Sequence, residues 1–452
     1  MTDHRAKVRM YRHGLGDCLL VRLARDGDRD FNILIDCGVI LGTKDARAKI
    51  NAVMENVVAE TGNVIDLLVL THAHGDHVSG FLQAEAIFRK LEVGQVWMAW
   101  TEDPDDSFAK SLLDARGRRG AVDALQAVAG QMQAAGDAAA GEKIAGLMDF
   151  FGIDDVPFGA AGGRATTEDA VQVARELAPE GKLLYCKPGQ DPYRPPGAKA
   201  RIMVLGPPRD HDLIRKSTPS KKAPETFDMA LDAPGGGPPP GLEGRPFSPL
   251  FTIPLDVARA EVKFFQDNYW NQAGASGWRG IDDVGSSALD FAIKLDNDTN
   301  NTSLVLAIEL DGPGDSGGEG DEPGRDVLLF AADAQVGNWL SWKDVKWTKP
   351  EGEAGDVEGL DLVRRTIVYK VGHHGSHNAT LKDYLLSMKR LRIALNPVDE
   401  VMAGKKHWDH IPLPSLEEAL RKQTKEALVR ADENGVKGDD IVEDPLFYEV
   451  TV

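Results

Sequence analysis

The side chains most capable of chemistry lie in one short run, HAHGDH at positions 72–77. Side chains alternate along an extended segment, so His72 and His74 lie on the same side and can reach one cation. The glycine that follows allows a sharp turn, after which Asp76 and His77 can reach a second cation. Imidazole nitrogen with carboxylate oxygen is a ligand set for zinc, iron or manganese. The run therefore predicts a metal site rather than a solvated turn.

Two later segments offer further ligands of the same kind. Asp333 directly follows the apolar segment VLLFAA, and its carboxylate could bridge two cations through its two oxygens. The run VGHHGS contains His373 and His374, and each is a candidate for the last ligand. No G-x-S-x-G elbow, P-loop or G-x-G-x-x-G run lies between a strand and a helix, so other common catalytic motifs are not indicated.

The elements that must position these residues alternate between strands and helices. HAHGDH follows IDLLVL, an apolar run typical of a strand buried on both faces, and precedes a predicted helix, VSGFLQAEAIFRKL. A second helix is predicted at KDARAKINAVMENVVAETG and a third at SLEEALRKQTKEALVRA, with Ser415 as N-cap. The other predicted strands are VRMYRHG, CLLVRLARDG, FNILIDCG, QVWMAW, GKLLYCKPG, ARIMVLGPP, TSLVLAIEL, DVLLFAAD, TIVYKVGHHGS and LRIALNPV. This alternation predicts an α/β fold.

Two segments interrupt the alternation and are predicted insertions in one domain spanning residues 1–452. Residues 103–165 are rich in Ala, Gly, Gln and Asp and predict a helical insertion. Residues 212–290 contain APGGGPPPG, which predicts a partly irregular, Gly/Pro-rich insertion. The second insertion follows GPP on the expected rim of the metal loops, so we predict that it acts as a lid or a substrate wall.

Composition limits the class of protein and of partner. The 452 residues are 42% hydrophobic and 27% charged, as in globular proteins. With 52 basic and 71 acidic residues the net charge is -19, which disfavours sequence-independent binding of nucleic acid. Three cysteines are too few for a disulfide framework and predict a reducing compartment. The N-terminus lacks a signal-peptide pattern and no run could cross a bilayer, so we expect a cytoplasmic protein without a membrane partner.

These motifs resemble those of a known family. HAHGDH at a strand end is similar to the HxHxDH signature of the metallo-β-lactamase superfamily, which folds as an αββα sandwich with one or two metals at the edge of its sheets. GLGD…ILIDCG resembles the family's opening hairpin, FAADA its bridging-aspartate segment and KVGHHGS its last-histidine segment. Within the superfamily, GLGDC, MVLGPP, NNTSLVLAIEL, VGHHGS and KHWDHIP resemble the nuclease-like domain of ComEC-type competence proteins.

The resemblance implies a hydrolase with two divalent cations, zinc first and manganese or iron as alternatives. The cations would share a bound hydroxide that attacks a phosphodiester of a nucleotide or nucleic acid. Catalytic roles are expected for Asp76, for His373 near the substrate and for His410, which could protonate a leaving oxygen. His374 is preferred to His373 as ligand because the family often has glycine directly after it. The implied ligands are His72, His74, Asp76, His77, Asp333 and His374.

Several alternatives remain open. His211, in GPPRDH, lies where the family often has a third histidine for the first metal, but its spacing favours a solvated loop residue. Asp17 and Asp36 either orient the histidines or are plain turn residues, and a surface position is slightly favoured for His410. A lactonase or esterase on the same site, or a non-catalytic metal-stabilised domain, are the rival functions. The net charge favours a small substrate over a long polyanion.

Overall fold

The computed structural model describes residues 4–27, 29–112, 125, 127–130, 144, 147–152, 165–220, 223–227, 262–266, 295–311, 325–348, 357–406, 408, 411–436 and 438–452. The strands in these ranges are β1 (Ala6–Tyr11), β2 (Leu19–Leu23), β3 (Phe31–Ile35), β4 (Val64–Ile65), β5 (Leu67–Leu70), β6 (Glu92–Val93), β7 (Val96–Ala99), β8 (Leu183–Cys186), β9 (Ala200–Gly206), β10 (Val305–Leu310), β11 (Val327–Phe330), β12 (Lys346–Trp347), β13 (Val357–Glu358), β14 (Thr366–Lys370), β15 (Ile393–Asn396), β16 (Leu428–Arg430), β17 (Ile441–Glu443) and β18 (Phe447–Thr451).

Helices in the same ranges are mostly short. The α-helices are Ala46–Thr61, Gly75–Val78, Gly80–Gln83, Glu85–Phe88, Ser107–Leu112, Thr167–Glu176, His211–Ile214, Lys263–Phe265, Val336–Ser341, Gly359–Arg364, Lys382–Ser387, Glu400–Lys405 and Pro414–Thr424. Residues 295–301 are also helical. Turns of 3₁₀-helix lie at Trp100–Glu102, Asp149–Phe151, Trp342–Asp344 and Gly372–Gly375. Among the described helices, none is long and apolar enough to cross a membrane.

Two large sheets organise the described strands. The eight-stranded sheet has the order β17-β18-β1-β2-β3-β5-β7-β8, and the six-stranded sheet has the order β16-β15-β14-β11-β10-β9. Pairing is parallel from β3 through β5 and β7 to β8, and from β11 through β14 and β15 to β16. The carboxyl ends of β3 and β5 in one sheet and of β11 and β14 in the other continue into the loops that carry the candidate ligands. Ligand sites of α/β proteins commonly lie at such strand ends.

The packing of the two sheets gives a four-layer αββα sandwich, which confirms the predicted fold class. One buried cluster lies between the sheets and includes residues from both, such as Val21, Ile33, Val69, Val204, Ile308 and Leu328. A second covers the outer face of the eight-stranded sheet with the helix Ala46–Thr61. A third covers the outer face of the six-stranded sheet with the helices Val336–Ser341 and Pro414–Thr424. Helices therefore cover both outer faces.

Strand β5 shows why the segment before HAHGDH is apolar at every position. Its four residues are all buried. Leu67 and Val69 belong to the cluster between the sheets, whereas Leu68 and Leu70 belong to the cluster under the helices. Because successive side chains of a strand point to opposite faces, a strand covered on both sides needs apolar residues throughout. The prediction of a strand buried on both faces is confirmed.

The predicted helix after HAHGDH is divided into three short helices. A continuous helix would pair the N–H of Gly80 with the carbonyl of Asp76. Instead, the Asp76 carbonyl accepts from the N–H of Asp17, and the N–H of Gly80 donates to the carbonyl of Cys37. The hydroxyl of Ser79 also bonds to the backbone of Val39. Tertiary hydrogen bonds therefore replace the helical ones, which the local pattern could not predict.

The C-terminal prediction was wrong in two respects. The last helix begins with Pro414 at its first turn and has Leu413, not Ser415, as N-cap. Proline favours this start because its fixed φ already suits a helix. The helix ends at Thr424, and residues predicted as its continuation form β16, which pairs with β15. Strands β17 and β18 were not predicted, although β18 pairs with β1.

Both insertions lie mainly outside the described residues. In 103–165 the described parts include the helix Ser107–Leu112 and the turn Asp149–Phe151. In 212–290 they are limited to 212–220, 223–227 and 262–266, and the APGGGPPPG run lies outside them. The domain boundaries and the lid role therefore stay predictions.

Candidate metal centre

The HAHGDH run lies directly after β5, with all of its polar side chains buried. His72 and His74 face each other, with 3.3 Å between Nε2 of His72 and Nδ1 of His74. Asp76 and His77 lie in the short helix that follows, and Nε2 of His77 is 3.8 Å from Oδ2 of Asp76. The spacing therefore produces one histidine pair and, one turn later, a histidine–carboxylate pair.

Two glycines hold this run in place by allowing close backbone contact. The N–H of Asp17 donates to the Asp76 carbonyl over 2.8 Å, and the N–H of Cys37 donates to the His77 carbonyl over 2.9 Å. A Cβ atom on Gly38 would lie 2.5 Å from backbone atoms of Asp76 and His77. A Cβ atom on Gly16 would lie 2.7 Å from the Asp76 carbonyl oxygen. These contacts explain the glycines of the GLGD and IDCG segments.

We expect Gly38→Ala to destabilise the protein and weaken metal binding, because the added methyl must push the backbone of Asp76 and His77 away. The cost of overpacking is about 1–3 kcal/mol or more. Urea denaturation and metal content after dialysis measure the two effects. Gly404→Ala is the matched control, since nothing lies within 4 Å of a Cβ atom there. Equal stability and metal content for Gly38→Ala and wild type would contradict the proposed contact.

Asp333 presents one carboxylate oxygen to the histidines. Its Oδ2 lies 3.2 Å from Nε2 of His77, 3.8 Å from Nε2 of His374 and 3.9 Å from Nε2 of His72. Its Oδ1 lies 3.4 Å from Nζ of Lys370. Because Lys370 contacts Oδ1, Oδ2 is the oxygen that faces the histidines.

The VGHHGS loop brings His374 into the same cluster. Nδ1 of His374 lies 2.7 Å from the Pro397 carbonyl and Nε2 lies 2.9 Å from Oδ2 of Asp76, so the metal-free ring donates to both oxygens and would lose its Nε2 proton on binding a cation. His373 is more exposed than His374, 7% against 1%, and its Nε2 lies 3.9 Å from Oδ2 of Asp333. Both histidines have positive φ, 43° and 53°, a conformation that costs about 1–2 kcal/mol per residue. Strain of this kind is typical of functional loops.

Four side chains meet closely enough to hold one cation. One ligand atom from each lies within 4.8 Å of the others, and all four residues are buried. They are Asp76, His77, Asp333 and His374. Asp17, Asp36 and His77 also lie together. That second group is explained by hydrogen bonding, because His77 Nδ1 lies 2.7 Å from Asp36 and Lys370 Nζ lies 2.6 Å from Asp17.

Asp36 and Asp17 have the geometry of orienting residues rather than of plain turn residues. Asp36 accepts from Nδ1 of His77 and from the backbone N–H and hydroxyl of Thr71. This leaves Nε2 of His77 directed at the cluster. Asp17 binds Lys370, which in turn contacts Asp333. Such outer contacts fix the ring orientation and basicity of metal-binding histidines.

Burial and neighbouring charges set the protonation of the histidines. Burial lowers the pKa of His72 well below its ordinary value and that of His74 to about 3, so both rings are neutral at pH 7. Burial opposes charge on His77 as well, but Asp333, Asp17 and Asp76 raise its pKa well above the ordinary value. A cation bound here would therefore displace a proton from His77, as is usual at histidine metal sites.

The unpartnered polar atoms of the cluster test whether its residues fit a metal. Oδ1 of Asp76, Nε2 of His77 and Oδ2 of Asp333 are buried and have no hydrogen-bond partner among the described residues. Unpaired buried polar atoms are uncommon and costly. A divalent cation would satisfy all three, and the donor set of imidazole and carboxylate suits zinc, manganese or iron. The described residues of the cluster therefore fit a bound divalent cation.

One other predicted residue, His211, does not join the cluster. His211 is exposed, begins a short helix and has its ring 6.4 Å from that of Phe108. The interpretation as a solvated residue agrees with this position. His410 lies outside the described residues.

Sequence reasoning missed several neighbours of the centre. Phe150 and Phe151 lie against His74, each with 4.9 Å between ring centroids, and Phe150 stacks on Trp408. Residues of the predicted first insertion therefore lie beside His74, which the sequence did not indicate. Lys370 had a visible signal, a charge inside the apolar strand TIVYKV. Asp296 lies in a wholly polar run, so nothing in the sequence indicated that it would be buried beside the centre.

The comparison with known families identifies part of the chain. Residues 11–131 match the family model of the metallo-beta-lactamase superfamily. The matched range contains β2 to β7 and the HAHGDH loop, whereas Asp333 and His374 lie beyond it. No curated protein matches the chain. The family match and the buried cluster of histidine and aspartate together support a metal-dependent hydrolase in general terms.

Proposed function

We propose that the protein is a metallo-β-lactamase-like hydrolase that uses two divalent cations to cleave small phosphodiesters. The observation that carries this proposal is the buried four-residue cluster beside the His72–His74 pair, built on a domain that matches the superfamily. A nearly complete ligand set at the ends of parallel strands is difficult to explain as a solvated surface feature.

The proposed ligands divide into two sets around one shared oxygen. His72 and His74 would hold the first cation, and Asp76, His77 and His374 would hold the second. Oδ2 of Asp333 lies between the sets. When bound, the cations supply Lewis acidity and activate water for hydrolysis. Zinc is the first choice for this donor set, with manganese or iron as alternatives.

Other residues orient the ligand rings or can exchange protons and hydrogen bonds with substrate and water. Asp36 fixes the ring of His77, and the Pro397 carbonyl fixes the ring of His374. Burial lowers the pKa of His373 to about 4, so its neutral ring can exchange a hydrogen bond with substrate at the edge of the cluster. Oδ1 of Asp76 would hold the cation, and Oδ2, which accepts from His374 in the metal-free protein, could accept a proton from water once that ring binds the cation. His410 stays a predicted proton donor, because it lies outside the described residues.

A small substrate fits this site better than a long nucleic acid. The proposed ligands are at most 2% exposed, and His373 is 7% exposed. The net charge of -19 repels polyanions at long range. The resemblance to ComEC-type nuclease-like domains supports a phosphodiester, and the burial of the proposed ligands supports a small one.

A lactonase or esterase is the second candidate function, and one observation favours it. Phe150, Phe151 and Trp408 form an aromatic wall beside His74. Such a wall suits an apolar acyl or alkyl group. The charge of Lys370 is engaged by Asp17 and Asp333, so this lysine is not available to bind a phosphate.

We expect protein purified without chelator to contain one to two transition-metal ions per chain and to hydrolyse bis-p-nitrophenyl phosphate. EDTA should abolish turnover, and zinc or manganese should restore it, because the cations supply the Lewis acid. His211→Ala is the control and should retain metal content and activity. Lactones and single-stranded DNA complete the substrate panel.

Each outcome of this panel distinguishes the candidates. Lactone turnover without phosphodiester turnover would favour the second candidate. Bound metal without turnover of any substrate would favour a non-catalytic, metal-stabilised domain. A folded protein that takes up no metal after addition of zinc or manganese would contradict all three.

A further inference from the structure

Asp296 is a buried carboxylate beside the metal centre that the ligand set does not use. It lies in the helical residues 295–301 and is only 7% exposed. Its Oδ1 lies 3.7 Å from Nε2 of His74, and neither atom has a hydrogen-bond partner among the described residues. Two unpartnered polar atoms that face each other in the interior need a shared explanation.

The two nitrogens of His74 face different groups. Nδ1 faces Nε2 of His72 at 3.3 Å, and that His72 atom also lies 3.9 Å from Oδ2 of Asp333. Two ligands of one tetrahedral zinc lie about 3.3–3.6 Å apart when each bond is about 2.0–2.2 Å. The cation that His72 and His74 share therefore belongs on the Nδ1 side. Nε2 points away from it, towards Asp296.

The rest of the centre shows the same arrangement. His77 directs Nε2 at the cluster while its Nδ1 contacts Asp36, and His374 directs Nε2 at the cluster while its Nδ1 contacts Pro397. Each of these rings has one nitrogen for a metal and a hydrogen-bond acceptor on the other. Carboxylate–histidine–metal arrangements of this kind hold the tautomer and the ring orientation.

Asp296 is held in place by contacts that also reach the Asp333 loop. The side-chain amide of Asn301, in the same helix, donates to the carbonyls of Leu213 and Ile214. Its oxygen accepts from the backbone N–H of Gln335 and of Asn338, just after Asp333. The amide of Asn300 approaches Oδ2 of Asp296 at 3.4 Å, which leaves Oδ1 towards His74. The helix and the Asp333 loop are therefore positioned together.

We propose that Asp296 is a positioning residue that accepts the Nε2–H of His74 and thereby presents Nδ1 of His74 to the first cation. The inference rests on the proposed function, since it assigns a role towards a metal that the fold implies. A direct hydrogen bond needs a shorter separation than 3.7 Å. We expect the contact to shorten when the cation fixes the ring.

The first test is the tautomer of His74 in the full-length, zinc-loaded protein. Long-range ¹H–¹⁵N spectra of histidine-labelled protein, assigned with His74→Gln, should show the proton on Nε2 and a downfield, exchange-protected resonance. Asp296→Ala should shift that resonance upfield or remove it by exchange. A proton on Nδ1 in the wild-type protein would instead place Nε2 on the metal and Asp296 beside it as a ligand, which would overturn the inference.

The second test is metal affinity, measured by competition with a chromophoric chelator. Asp296→Ala should weaken one of the two sites by about 10–100-fold, as for loss of other outer contacts of metal ligands. Asp296→Asn, which keeps an acceptor oxygen, should give a smaller loss. Asp36→Asn is the matched comparison and should weaken the other site, through His77. Unfolding of the metal-free variants checks that the fold is retained.

The results separate this inference from the proposed function. Two sites of unchanged affinity in Asp296→Ala and Asp296→Asn would overturn the role of Asp296 and leave the proposed function standing. Complete loss of one ion at any zinc concentration would indicate a direct ligand and would also overturn it. Absence of metal from the wild-type protein would contradict the proposed function itself.

Discussion

Replacement of Asp333 by asparagine is expected to lower turnover of bis-p-nitrophenyl phosphate by roughly two orders of magnitude or more, as for loss of a major electrostatic element. Oδ2 of Asp333 is the oxygen that faces histidines of both proposed ligand sets. Asparagine keeps the shape of the side chain but removes the negative charge that holds two cations close together. The measurement is kcat at saturating zinc or manganese.

The control for this variant is Asp344→Asn, which removes the same charge from an exposed position after the next helix. It should retain wild-type kcat. The metal content of both variants shows whether activity falls because a cation is lost or because bound cations no longer promote catalysis. Near wild-type turnover of Asp333→Asn at saturating metal would show that another residue bridges the two ligand sets.

Much of the fold was accessible from sequence because its strongest signals are local. Strand β5 is apolar at every position because it is covered on both faces, and that pattern is visible without a structure. The glycines of HAHGDH and IDCG marked the close turns beside it. The grouping of Asp76, His77, Asp333 and His374 was implied by the family resemblance, and all four lie in loops or turns that follow strands.

What could not be predicted depends on contacts between segments far apart in the chain. The helix after HAHGDH is interrupted because its backbone bonds instead to Asp17 and Cys37, which lie about 40 to 60 residues earlier in the chain. Asp296 reaches His74 across more than 200 residues, and nothing in its polar neighbourhood distinguishes it from a loop aspartate. Strand β17 is three residues long and partly exposed, so it has too little apolar pattern to be recognised.

Lys370 connects the charge of the metal centre to the stability of the fold. It is 1% exposed at the end of β14. Its ammonium lies 2.6 Å from Asp17 and 3.4 Å from Asp333, and it donates to the carbonyl of Ala332. Burial opposes this charge, but Asp17 and Asp333 raise the pKa of Lys370 above its ordinary value. The lysine is therefore charged at neutral pH.

Lys370→Met should consequently destabilise the metal-free protein by about 3–5 kcal/mol, the usual cost of removing one partner of a buried ion pair. Methionine fills a similar volume, so the loss reports mainly on charge. Urea denaturation measures it, with the exposed Lys343→Met as control. Stability within about 0.5 kcal/mol of wild type, the range of ordinary surface substitutions, would show that the lysine does not balance the buried carboxylates.

The same variant should depend more strongly on metal than the wild-type protein does. Without Lys370, Asp17 and Asp333 lose their nearest ammonium, and bound cations become the main positive charge beside Asp333. Saturating zinc should therefore raise the Tm of Lys370→Met by more than it raises that of wild type, since a ligand that binds only the folded state stabilises it. Adding Asp17→Asn removes one of the two unbalanced carboxylates and should restore part of the lost stability in the metal-free state. An equal rise in Tm for Lys370→Met and wild type would mean that Lys370 and the cation do not both neutralise the charge of Asp333.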